Sequence, residues 1–341
     1  MDQTATLQAN NATPALPFAP ASVFFLAAMA VAGTAALLAG AMPLGFSIVI
    51  VFLFAGPHNW LEFRYFLARM PAHWGPLRIY FLTAIVGAAA ITGLFAALPW
   101  MARTQTWDYD TWYFATAVLN SALVLWIAAL IWLRGKQVPG RDWFWAWPVG
   151  FALVSGVWYF PHAWDLLLVY LHPLVALWFL DRELLRSRPE WRGAYHAFLC
   201  SVPGFIAILY WQLSNAPSLR GDDMLSMRIT QHAGAGILSG VSSHLLVAAH
   251  TFLELLHYGV WIVAIPLIGM RSAPWKLESV PLYKRSRPFR NAICVGMAVG
   301  AMAVLALWAC FIADYPLTRD VYFTAAMLHV LAEIPFLLRT L

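Results

Sequence analysis

Of the chain's 341 residues, 62% are apolar and only 11% charged, against roughly half and a quarter in soluble domains. That balance excludes a water-soluble globular protein and points to an all-α, polytopic membrane protein. The net charge of +5 comes without an aromatic-interleaved basic patch, so the expected partners are membrane lipids and a lipid-soluble small molecule, and no nucleic acid.

Residues 1–21 are rich in Ala, Pro and Asn and lack a basic n-region, so they read as a disordered tail and not as a cleaved signal. Residues 22–341 are expected to form one transmembrane helical domain, because the longest polar loops, 182–197, 215–237 and 269–290, are too short to bury a core. Cutting the apolar runs where Pro, Gly and charge cluster gives ten spans: 22–41, 44–63, 79–99, 112–133, 144–160, 162–181, 198–214, 238–268, 291–313 and 321–338. Most approach the ~20 residues a helix needs to cross hydrocarbon. The eighth is long enough to tilt strongly or to break at Gly259.

With a cytoplasmic N-terminus, ten spans place every one of the 21 basic residues except Arg103, Arg220, Arg228 and Arg319 on the cytoplasmic side. The positive-inside rule therefore supports the count and puts both termini in the cytoplasm. Arg outnumbers Lys 18 to 3 in an Ala-rich chain, which suggests a GC-rich bacterial source and hence an inner-membrane location. Cys200, Cys294 and Cys310 are scattered in apolar sequence without CxxC spacing, which argues against a disulfide framework or a zinc-thiolate site.

The polar residues inside the spans follow a pattern. Among six Glu and ten His, three pairs stand four residues apart within apolar runs: His58 and Glu62, His250 and Glu254, His329 and Glu333. The remaining Glu183, Glu190 and Glu278 are assigned to polar loops. A spacing of four puts both members of a pair on one helix face, and ionisable groups at such depth are costly unless paired or functional. Counting about 1.5 Å per residue along spans 2, 6, 8 and 10 places these pairs, with His172 and His257, in one slab from the midplane toward the cytoplasm.

Span 8 carries His250, Glu254 and His257 on one face, and Glu-x-x-His is the ligand spacing of di-iron helix bundles. Imidazole with carboxylate suits iron, manganese or zinc. His58, His172, His250, His257 and His329 are accordingly the candidate metal ligands. Glu62, Glu254 and Glu333 are candidate catalytic carboxylates, either bridging the metal or orienting a His. The expected cofactor is a transition metal, iron(II), and the expected function is a metal-dependent oxidoreductase or oxygenase acting on a lipid-soluble substrate such as an isoprenoid, carotenoid or acyl chain.

Competing assignments use the same residues. A proton- or cation-coupled transporter would employ them as a relay, with Pro173, Pro266 and Pro335 marking broken helices along the path; a scaffold would use them only to fix helix packing. A bis-His haem site, for which His244 and His257 are suitably spaced, leaves the Glu partners without a role. His162 and Asp165 read as capping groups at the start of span 6, and His73, His196 and His232 as loop or interface groups.

Gly56-Pro57-His58 with Glu62 resembles an early-helix Gly-x-Pro-His element followed by an acid in the Brp/Blh-type bacterial membrane β-carotene 15,15'-dioxygenases. His329, Glu333 and Arg339 are similar to a late helix of that family, and His250 with His257 to its two-His helix, although those two histidines stand seven apart here and four apart there. The resemblance implies a His-bound non-haem iron in a helical membrane fold that opens a conjugated polyene with dioxygen.

Overall fold

The computed structural model describes residues 20–138, 140–219, 221–268 and 276–341. The tail expected over 1–21 lies almost wholly outside them, as do Arg220 and Arg271. The described residues are helical and contain no strand. In chain order the helices are α1 (Pro20–Ala41), α2 (Pro43–Arg69), α3 (Arg78–Thr104), α4 (Tyr109–Gly135), α5 (Ala146–Tyr159), α6 (Pro161–Ser187), α7 (Arg192–Leu213), α8 (Met224–His232), α9 (Ser243–Ile268), α10 (Arg287–Ala313) and α11 (Tyr315–Leu338). Nine of these, all but α5 and α8, are long and apolar enough to cross a membrane.

The expected fifth span is thus a shorter helix of 14 residues. It nevertheless returns along most of α4. Gly135 packs against Trp143 at one end and Gly150 against Ala128 midway, while the Tyr113 hydroxyl donates to the Trp158 carbonyl (2.6 Å) at the other end. α5 therefore runs antiparallel to α4.

Burial ranks the helices. In the most apolar window of α9, 67% of residues are buried, against 11% for α10, so α9 is the central helix and α10 faces outward. Around α9 pack α1, α2, α6 and α7. Without a hydrophobic drive between helices in lipid, close approach depends on small side chains, and α1 buries Ala32, Ala35, Ala36 and Ala39.

Three expectations need correction. The eighth span starts at Ser243 instead of 238: Gly234 (φ +97°) turns the chain, and the Ser243 hydroxyl, at the first residue of the helix, accepts from the Leu219 amide (2.8 Å). It does not break at Gly259: Val260–Ala264 widen into a π-helical segment, a register change that frequently accompanies functional sites, and the helix continues to Ile268. Glu183 is no loop residue. It lies on the last turns of α6, fully buried, and both its oxygens engage Arg69 of α2.

Polar contacts join helix ends that the charge rule puts on the same side. At the ends that the charge rule assigns to the cytoplasm, beside Arg69–Glu183, Arg339 donates to the Arg69 carbonyl (3.2 Å) and Tyr80 to the Pro335 carbonyl (2.6 Å). At the opposite ends, His244 donates to the Gly40 carbonyl (2.9 Å), and α8 is tied down by an Arg228–Asp320 ion pair. Asp223 caps α8, and its hydrogen bonds from Ser226 hold its carboxyl below the usual range.

Candidate metal site

Four helices bring their midpoints together. His58 of α2, His172 of α6, His257 of α9 and His329 of α11 each lie nine or more residues from either end of their helix, or about 13 Å or more along it. The ring centroids stand 5.3 Å apart for His58 and His257, 5.1 Å for His58 and His329, 4.5 Å for His172 and His257, and 5.1 Å for His172 and His329. Glu62 follows His58 by one turn and Glu333 follows His329 by one turn, so the i,i+4 pairing delivers a carboxylate beside each imidazole. Both are 1% exposed.

Each of His58, Glu62, His257 and His329 presents a ligand atom within 4.8 Å of the others, and His172, His257 and Glu333 form a second such group that shares His257. Ligands about 2.0–2.2 Å from an ion stand roughly 3 Å apart when adjacent and up to about 4.4 Å when opposite, so the groups are close to the spacing that one ion imposes. His172 Nε2 lies 3.3 Å from His329 Nε2. His172 Nδ1 lies 3.0 Å from Glu333 Oε2, out of hydrogen-bond alignment.

Satisfaction of the polar atoms gives an independent fit test. His58 Nδ1 lies 3.0 Å from the Phe54 carbonyl and donates to it, which fixes the tautomer and leaves Nε2 as a lone pair. That Nε2, His257 Nε2 and both oxygens of Glu62 and of Glu333 are buried without a hydrogen-bond partner. Orphaned buried polar atoms each cost about 1–3 kcal/mol, and six of them in one place form a donor set of imidazole nitrogen and carboxylate oxygen that suits iron, manganese or zinc. The residues present fit a transition metal.

The other site residues expected from the sequence stand elsewhere. His250 is in neither group: seven residues separate it from His257, about 10 Å along the helix axis, so the two cannot bind one ion. Glu254, between them, accepts from Tyr258 Oη (2.7 Å) and lies 3.9 Å from His250 Nδ1. Asp165 does not cap α6. It accepts from Asn120 Nδ2 (3.0 Å) and so ties α6 to α4.

A cavity of about 240 Å³ runs from the four-His cluster to His250 and Glu254. Its walls are α6 and α11, including Leu168, Val169, Phe323, Ala326 and Met327, with Phe95 of α3. Sequence reasoning missed two of its residues. His232, at the end of α8, stands with its ring 5.1 Å from that of His250, and Tyr258, one position after His257, packs 4.5 Å from the His58 ring. His232 carried no local signal, since only the folding of α8 over the bundle brings it in; Tyr258 was legible from its spacing of four from Glu254.

Comparison with protein-family models, with curated proteins and with solved structures finds no match, so the functional reading stands on the geometry of this site.

Proposed function

We propose that the protein is a membrane metal-dependent oxidoreductase, a non-haem iron oxygenase in its finer form, acting on a lipid-soluble substrate that reaches the cavity from within the bilayer. The observation that carries this reading is the convergence of His58, Glu62, His257 and His329, from three helices, with ligand atoms within 4.8 Å of one another. A bound iron(II) would supply dioxygen activation. His58, Glu62, His257 and His329 would hold the metal, with His172 and Glu333 at its edge.

The chain's own residues account for the rest. The Phe54 carbonyl orients His58; such a partner raises ligand basicity and fixes ring orientation. The apolar side chains of α6 and α11 line the approach and exclude water from reactive species. Of the prolines a broken-helix transport path would use, Pro173 and Pro335 lie inside α6 and α11, which continue helical through them, while Pro266 follows the π-helical segment Val260–Ala264 of α9. The similarity of Gly56-Pro57-His58 and of His329, Glu333 and Arg339 to the Brp/Blh-type dioxygenases supports the same chemistry.

The test compares metal content and dioxygen uptake of purified wild type with His257→Ala and Glu62→Gln. The reading expects iron in wild type, loss of most of it in His257→Ala, and loss of uptake in both variants. Equal metal content in all three, with proton-coupled flux in proteoliposomes, would replace it by a transporter.

A further inference from the structure

The cavity has two chemically distinct ends. One is the imidazole and carboxylate cluster at mid-membrane. The other extends along α9 from Glu254, less than one turn before His257, to His250, about two turns before it, and takes in His232. His250 and Glu254 are each 7% exposed, yet both line the cavity. Glu254 Oε1 takes the Tyr258 hydroxyl (2.7 Å), while Oε2 is buried without a partner. His250 Nδ1 lies 3.9 Å from that oxygen, beyond hydrogen-bond length. Neither ring nitrogen of His250 or of His232 makes a hydrogen bond to the described residues, and the rings meet edge to face at 5.1 Å.

This end therefore offers an unused acceptor beside unused imidazole nitrogens, in a space otherwise walled by Leu168, Val169 and Phe323. A hydrocarbon leaves all of them unpaired, which a buried polar group resists. A carboxylate has two acceptor oxygens and sets them against the oxygen of Glu254. A hydroxyl satisfies both kinds of group at once: it donates to Glu254 Oε2 and accepts from an imidazole N–H.

We propose, resting on the reading of the mid-membrane cluster as the reacting centre, that the substrate is a hydroxyl-terminated isoprenoid or long-chain lipid. His250, Glu254 and His232 hold its head, and its chain runs between α6 and α11 toward His257 and His329. The rise of about 4.5 Å from Glu254 and about 10 Å from His250 to His257 sets the position of reaction a few carbons from the hydroxyl. The polar end thus acts as a ruler, selecting head chemistry and chain position, while the cluster acts on the chain.

The test titrates the full-length protein in detergent with farnesol, farnesene and farnesoic acid, following tryptophan fluorescence, in parallel with metal analysis of the same samples. Wild type should bind farnesol about tenfold or more tighter than farnesene, the scale of a satisfied buried hydrogen bond, and tighter than farnesoic acid. His250→Leu should abolish the preference and retain the metal, because His250 lies outside both ligand groups. Glu254→Gln, which keeps an acceptor oxygen, should retain part of the preference. Equal binding of farnesol and farnesene, preference for the acid, or a farnesol preference that survives His250→Leu would overturn the proposal. A farnesol preference without bound metal would instead sink the metal reading and leave the head-binding end standing.

Discussion

Arg69 and Glu183 form an ion pair whose two members are unequally buried, and the inequality predicts an asymmetric response to mutation. The Glu183 side chain is fully enclosed, whereas that of Arg69 is 36% exposed. Replacing Arg69 by Leu strands a buried carboxylate on α6; the nearest remaining cation, Arg186 Nη1, is 3.9 Å away and compensates only in part. Breaking a buried pair from one side typically costs about 3–5 kcal/mol, and the Arg186 contact places this variant near the lower bound. Replacing Glu183 by Gln keeps the shape and leaves the charge on Arg69, whose long stem can carry its head to the interface, so the loss should be smaller, about 1–2 kcal/mol. The double replacement of both by Leu removes the stranded charge and should recover most of the stability. Reversible unfolding in mixed detergent micelles, read by far-UV circular dichroism, measures all three. Equal losses for the two single variants, or a larger loss for Glu183→Gln, would refute the assignment of the buried charge to Glu183.

Other regions make separate predictions. A Cβ added at Gly87 collides with the Trp126 indole, whose Nε1 donates to the Thr83 carbonyl (2.9 Å), so Gly87→Ala should destabilise the α3–α4 contact by roughly 1–3 kcal/mol; an unchanged unfolding midpoint contradicts that packing. On topology, a membrane-impermeant thiol reagent should label Asn215→Cys in intact cells, and Ser187→Cys or Ser286→Cys only after permeabilisation; labelling of the latter two from outside overturns the ten-crossing path. Exchange of Tyr258→Phe removes the hydroxyl that Glu254 accepts and should lower stability by about 1 kcal/mol without changing metal content; loss of the metal would show that Tyr258 belongs to the ligand shell.

The helices were legible because hydrocarbon thickness and apolar run length are tied together, and because the basic residues alternate with the spans. What was not legible is tertiary. The sequence places Glu183 in a polar loop because its neighbours Arg182, Arg186 and Arg188 look solvated; its partner, Arg69, lies 114 residues away. The apolar run 144–160 marks the position of α5, but its helix is only 14 residues long, a length set by the turn through Trp143 and by Phe160, where the helix ends. For the site, i,i+4 spacing identified Glu62 and Glu333 with their histidines, and depth counting brought His58, His172, His257 and His329 to one level. The same face-sharing argument grouped His250 with His257, since periodicity reports direction around a helix and is blind to the two turns of rise between them. His232 was set aside as a loop residue, and only α8 folding over the cavity moves it beside His250.

The most direct test is elemental analysis combined with X-ray absorption at the metal edge on detergent-purified wild-type protein. The account predicts a bound transition metal, iron, with a first shell of nitrogen and oxygen at about 2.0–2.2 Å, multiple scattering from imidazole rings, no sulfur neighbour and no Soret band. Protein free of metal after purification and reconstitution with iron(II), or a shell without imidazole scattering, would contradict it.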